Sequence, residues 1–130
     1  MNAFLLDQKG IAVMTDIPPD VELKSDPVLL AQVWNNVLVN AIHASHDGGT
    51  IRITCTVNPR ICVSFIDEGI GMDEETKRHV FDRFFRGDAA RTTQGTGLGL
   101  AITSDIIALH GGQITLESTK GIGTTFHLHF

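Results

Sequence analysis

The sequence predicts an α/β (α+β) two-layer sandwich, a mixed sheet of about five strands with about three helices on one face. Short segments alternate apolar and polar residues with period two, among them TIRITCTV (50–57) and RICVSFID (60–67), as half-buried strands do. Apolar residues recur at helical spacing over two longer stretches, residues 26–45 and 98–109. The two kinds of segment interleave along the chain, separated by Gly and Pro, and that interleaving specifies helices layered on a sheet.

In chain order, GIAVMTDI (10–17) reads as a first strand, ended by Pro18-Pro19. Asp26 is a helix cap with Pro27 at the first helical position, and Leu30, Val33, Trp34, Val37, Leu38, Ala41 and Ile42 form one apolar stripe that runs to about Ser45. Gly48-Gly49 closes that helix. The strands 50–57 and 60–67 meet across an Asn58-Pro59 turn. Asp73 to Val80 reads as a short helix, 86–97 as a polar, glycine-containing loop and 98–109 as the second long helix. QITLES (113–118) and TTFHLHF (124–130) are the last strands, joined by Lys120-Gly121-Ile122-Gly123.

Length and composition narrow the function classes. With 130 residues, 42% hydrophobic and 19% charged, residues 1–130 read as one globular domain. No apolar run is long enough to span a membrane, and the amino terminus lacks the order of a signal peptide, so a cytoplasmic domain is expected. A formal charge of −5 with only ten Lys and Arg argues against a nucleic-acid surface, which needs a dense cationic patch. Cys55 falls in line with Ile51 and Ile53, and Cys62 with Ser64, so the two thiols sit on opposite parities and are expected to be free.

Three features carry chemistry. Gly95, Gly97 and Gly99 precede the second long helix; glycines let backbone N–H groups approach a ligand, and a helix start offers unpaired donors and a positive dipole end, a combination suited to phosphate. Taken alone, such a stretch is more often only a flexible loop. Asp67 ends an apolar strand and is followed by Gly69 and Gly71; a buried carboxylate needs donors, and the exocyclic amino group of adenine is one. Alone, that piece reads as an Asx-type turn. Asn36 and Asn40 share a helix face beside the apolar stripe, where Asn is a poor helix former, and their amide oxygens suit a hydrated Mg²⁺ that takes few protein ligands.

In order, the chain carries NNVLVNA (35–41), DEGIG (67–71), FDRFFR (81–86), GTGLGLAI (95–102) and GIGTTF (121–126). These resemble the N-box, first glycine box, F-box, second glycine box and last glycine box of the ATP-binding catalytic domain of sensor histidine kinases, in the wider family with gyrase, the heat-shock chaperone ATPases and MutL. The resemblance covers residues from about Gly10 to Phe130 and implies the Bergerat fold, with ATP held between the helices and a mobile lid.

Carried over residue by residue, the resemblance implies that Asp67 accepts the adenine amino group within the box Asp67, Gly69, Ile70 and Gly71, with Gly71 letting the ring approach the backbone. Thr124 holds a water beside the adenine. Asn40 ligates Mg²⁺ and Asn36 assists it or binds phosphate. Gly95, Thr96, Gly97, Leu98, Gly99 and Leu100 form the phosphate cradle, Phe81 and Phe84 anchor the lid, and Arg83 or Arg86 neutralises the γ-phosphate. His43 stands where many members carry Lys or Arg, and Ala44 where an aromatic residue is common. None of the six histidines sits in a phosphoacceptor motif. The resemblance therefore implies a fragment that phosphorylates a histidine on a separate dimerisation domain of a two-component kinase, itself a homodimer whose parent chain the family allows to be membrane-anchored and which serves a response regulator. A hydrolase of the gyrase or MutL kind and a nucleotide-sensing module without turnover are the alternatives. The hydrolases place a Glu four residues before the Mg²⁺-binding Asn; here that position is Asn36, which cannot accept a proton.

Overall fold

The structure, a computed structural model, describes residues 3–82 and 99–130. Among these residues the chain runs α1 (Ala3–Lys9), β1 (Ala12–Asp16), α2 (Pro27–Ala44), β2 (Thr50–Thr56), β3 (Cys62–Asp67), α3 (Glu74–His79), α4 (Gly99–Leu109), β4 (Gln113–Thr119) and β5 (Gly123–His129). The strands form one sheet in the order β1-β2-β3-β5-β4. Only β1 and β2 run parallel, joined through α2 as a crossover; the other neighbours are antiparallel. The mixed five-stranded sheet is thus as expected from the sequence.

The helix count differs: four helices are described where about three were expected. The addition is α1, seven residues with no apolar stripe long enough to register as a periodic pattern. It is held by tertiary contacts, as Ile11 N–H donates to Leu6 O and Leu6 packs against the core. The first strand is also shorter than 10–17, because Gly10 takes a positive φ of 66° that turns the chain before β1.

Strand register sorts the side chains into two faces. Ile51, Ile53 and Cys55 on β2 lie opposite Asp67, Phe65 and Val63 on β3, which lie opposite Thr124, Phe126 and Leu128 on β5. This face meets α2 and α4 and carries the core: Phe126, Ile42, Ile51, Ile107, Leu128, Val33 and Val37 are all fully buried, each worth about 1.5–3 kcal/mol relative to exposure. Of the α2 stripe, only Trp34 is not fully buried; it stacks on Phe65 at 6.2 Å and meets Phe130 edge-on at 5.9 Å. Asp26 caps α2 as expected, Oδ1 accepting from Val28 N–H (3.0 Å) and Leu29 N–H (3.2 Å). The opposite face is polar, with Arg52 and Thr56 exposed on β2 and Ser64 bonded to His127 across β3 and β5. Cys55 and Cys62 are free, as the parity argument requires.

Candidate functional site

The site gathers where β3 ends beside the last turn of α2. Asp67 closes β3 and is 4% exposed. Its Oδ1 accepts from Gly69 N–H at 2.9 Å, an Asx turn, and from Thr124 N–H at 3.2 Å on the neighbouring strand. Its other oxygen, Oδ2, is buried and has no hydrogen-bond partner among the described residues. Burial pushes the carboxyl above the usual carboxylate range, against the opposing pull of the two backbone donors. A buried acceptor left open is costly, and a donor arriving from a ligand would satisfy it.

Glycines build the walls around it. A Cβ at Gly69 would lie 2.1 Å from Ala44 O, the last residue of α2. Gly71 has a φ of 67°, and a Cβ there would lie 2.0 Å from Thr119 O, so the absent side chain is required by the approach of the β4 end. Ile70 pins the same loop through its backbone, its N–H donating to Ala44 O (3.0 Å) and its carbonyl accepting from Gly121 N–H (2.7 Å).

Thr124 is 3% exposed and pairs with Asp67 in the β3–β5 register. Its hydroxyl lies 2.8 Å from Ser118 Oγ, which accepts from Met72 N–H (2.8 Å) and donates to Gly123 O (3.1 Å). With the Ser118 proton spent on Gly123, Thr124 donates to Ser118 and its own lone pairs remain available to a water or ligand. Ser118 is a member of the site that the sequence did not mark: it lies outside every glycine box, and only the β4–β5 pairing brings it to Thr124.

The two asparagines of α2 behave differently. Asn36 Nδ2 donates to Gly99 O and Thr103 Oγ1, both at 3.3 Å, tying α2 to α4. Asn40, one turn on, is half-buried, and its amide forms no hydrogen bond among the described residues. His43 follows; burial, reinforced by the Lys9 ammonium, pushes its imidazole below its ordinary value, so it supplies no fixed positive charge at neutral pH. Phe81 packs edge-on against Phe126 at 6.3 Å, and Leu100 packs against the core. Arg83, Phe84, Arg86, Gly95, Thr96, Gly97 and Leu98, with the expected lid 86–97, lie outside the described residues. Gly99 and Leu100 are in α4.

Among the described residues no cluster of three His, Cys, Asp or Glu side chains is placed to hold a metal. A largely apolar cavity of about 660 Å³ lies at the other end of the sandwich, lined by Leu30, Trp34, Cys55 and Val63 among others, and shares none of these groups.

Residues 25–130 match the family described as histidine kinase-, DNA gyrase B-, and HSP90-like ATPase. The chain belongs to that family. Sensor histidine kinases are among its relatives: WalK of Bacillus subtilis is 40% identical over 111 residues, covering 82% of this chain and 18% of its own. SenX3 of Mycobacterium tuberculosis is 40% identical over 125 residues, covering 94% and 30%. The chain thus spans less than a third of these relatives' length. Among solved structures, a mycobacterial sensor histidine kinase, MprB, superposes with a TM-score of 0.86 at 28% identity, covering 98% of this chain and 88% of that one. Full-length ShkA in complex with AMPPNP gives 0.84 at 26%, covering 98% and 27%. The histidine kinase ThkA in complex with the response regulator TrrA gives 0.79 at 26%, covering 99% and 36%. The fold is that of histidine kinase catalytic domains, and by family the chain is an ATP-binding domain of the histidine kinase-, DNA gyrase B- and HSP90-like type. No helix among the described residues is long and apolar enough to cross a membrane.

Proposed function

We propose that this domain binds Mg²⁺-ATP and presents the γ-phosphate to a histidine on a separate dimerisation domain of the same kinase. The observation that carries the reading is the open Oδ2 of Asp67, a buried acceptor beside loops that pack too closely at Gly69 and Gly71 for any side chain. The adenine amino group is the donor that fits, with Thr124 holding a water alongside. ShkA, whose structure contains AMPPNP, shares the fold.

The chain's own residues then divide the work. Asp67 and Thr124 orient the base, and Asn40 would hold Mg²⁺ through its amide oxygen. When bound, Mg²⁺ supplies positive charge against the phosphates and draws off charge as it develops. Gly95, Thr96, Gly97, Leu98, Gly99 and Leu100 are proposed as the phosphate cradle through their backbone N–H groups, and Arg83 or Arg86 as the cation at the γ-phosphate. Phosphoryl transfer asks little covalent chemistry of a protein; positioning and electrostatics supply most of the catalysis. Asn36 is already committed to α4 and is an amide, so it cannot take a proton from water. That disfavours hydrolysis and conserves the γ-phosphate for an incoming imidazole. A dimerisation domain and a response regulator are the partners this reading requires; ThkA bound to TrrA shows a kinase of this fold meeting the latter.

The test mixes the domain with [γ-³²P]ATP, Mg²⁺ and a histidine-bearing dimerisation helix, expecting acid-labile, base-stable label on that helix and none on the isolated domain. Steady-state phosphate release by the domain alone at about 1 s⁻¹ or faster, the low end of ordinary enzyme turnover, would replace the kinase reading with that of an ATPase.

A further inference from the structure

The last turn of an α-helix leaves carbonyls without intrahelical partners, and they carry the negative end of its dipole. In α2 Ala41 O accepts from Ser45 N–H at 3.0 Å and Ser45 Oγ at 2.7 Å, and Ile42 O accepts from Ser45 N–H at 3.2 Å; the carbonyls around the helix end also meet two neighbours. Lys9, at the end of α1, directs its ammonium to Ile42 O at 3.0 Å, His43 O at 3.3 Å and Ser45 O at 2.9 Å. An ammonium has three N–H donors, and here each has an acceptor. The remaining carbonyl of the turn, Ala44 O, accepts from Ile70 N–H at 3.0 Å. The backbone of Lys9 is fixed as well: its carbonyl accepts from Gly48 N–H at 2.8 Å, and Ala12 N–H donates to Gly49 O at 3.0 Å.

From this turn a continuous set of contacts reaches the site. Ala44 O meets the position of the missing Gly69 Cβ, Gly69 N–H donates to Asp67 Oδ1, and Asn40 lies one turn back along the same helix. The Ala44 carbonyl occupies the space a Gly69 side chain would use, so the turn and the glycine loop are in direct backbone contact. We propose that Lys9 is a positioning residue for the nucleotide site, clamping the last turn of α2 against the first glycine loop so that the end of α1 supports ATP binding. The proposal rests on the nucleotide reading of Asp67 and Asn40. A lysine suits the task because a compact ammonium satisfies three carbonyls that converge from different directions, whereas the planar guanidinium of Arg favours bidentate, coplanar acceptors.

The experiment compares the wild-type domain with Lys9→Met, which keeps the stem and removes the donors, and with Leu116→Ala, which truncates a half-buried β4 side chain paired with Phe126 on β5. Mg²⁺-ATP affinity is measured by calorimetry at a temperature where all three are folded, and the His43 ring is titrated by NMR. Lys9→Met is expected to weaken Mg²⁺-ATP about fivefold, within the range that residues outside a ligand's contact shell produce, while Leu116→Ala changes it less than about twofold. The His43 titration should move up in Lys9→Met, since one of the two causes that hold it down is gone. An unchanged affinity in Lys9→Met, with wild type binding normally, refutes the positioning role; an unmoved His43 titration refutes the placement of the ammonium. Absence of nucleotide binding by wild type would instead refute the site reading, and this proposal with it. If Lys9→Met does not fold, Lys9→Arg, which keeps the charge but whose planar fork does not match three convergent carbonyls, replaces it for the affinity criterion alone.

Discussion

Replacing Asp67 with Asn separates the fold from the nucleotide. In the free domain the substitution keeps what the structure uses: an amide oxygen can still accept from Gly69 and Thr124 N–H. It also removes a carboxyl whose charge is disfavoured by burial. The sign follows from that direction. A carboxyl raised above its ordinary 3.8 holds its proton more tightly in the folded state, so its stabilising contribution is complete below 3.8 and is lost as pH rises through the folded value. At pH 7 the free wild-type domain therefore carries a penalty that Asp67→Asn does not, and the melting temperature of the free variant should be no lower than that of wild type. Ligand changes this. A nucleotide at about a hundred times Kd adds roughly 2.7 kcal/mol to wild type, or about 10 °C for a domain of this size. In the variant an amide NH₂ faces the adenine NH₂; losing a charge-assisted bond and leaving donors unpaired costs about 2–3 kcal/mol, which raises Kd about 30- to 150-fold. At the same ATP concentration the residual stabilisation falls to about 0.3–0.9 kcal/mol across that range, or about one to three degrees. Differential scanning fluorimetry with and without Mg²⁺-ATP measures both quantities. A full ATP-induced shift in Asp67→Asn would refute the adenine assignment.

Asn40→Ala should leave the free domain within about 0.5 kcal/mol of wild type, because the amide has no described partner to lose, yet it should abolish the difference between ATP binding with and without Mg²⁺, read by calorimetry in the two conditions. His43 predicts acid sensitivity: its folded value lies below 6.5, so its contribution is present above 6.5 and is lost as pH falls through the folded value; urea midpoints between pH 7.5 and 5.5 should fall less in His43→Gln than in wild type. Gly71→Ala places a Cβ at a φ of 67° and 2.0 Å from Thr119 O; strain of this kind costs about 1–3 kcal/mol or more, and the variant should lose both chemical stability and ATP binding, whereas Gly48→Ala, with a similar φ but open space around it, should lose only stability.

Much of the architecture was legible because it depends on local periodicity. The cap at Asp26, Pro27 and the stripe from Leu30 to Ile42 specify α2 without reference to anything distant, and the alternation in residues 50–57 and 60–67 specifies two strands and the opposite parities of Cys55 and Cys62. The chemical character of the site was legible too: Asp67 at a strand end between apolar residues and glycines announces a buried acceptor, and Asn40 in a helix interior announces a polar group kept against propensity. What required the tertiary structure is everything set by long-range pairing. The order β1-β2-β3-β5-β4 brings Thr124 beside Asp67 across 57 positions of sequence, and the same pairing puts Ser118 under Thr124. Asn36 and Asn40 look equivalent in sequence, yet the packing of α4 commits Asn36 to Gly99 and Thr103, while Asn40 has no hydrogen-bond partner among the described residues. The helix α1 is the plainest case. Seven residues cannot sustain a helix by propensity alone, and nothing local says that Lys9 will end at the carbonyls of Ile42, His43 and Ser45. Sequence determines which segments want to be helix or strand and which polar groups must find partners; only the folded chain determines which partners they find, because the energy of a hydrogen bond depends on groups brought within 3 Å and not on their separation along the chain.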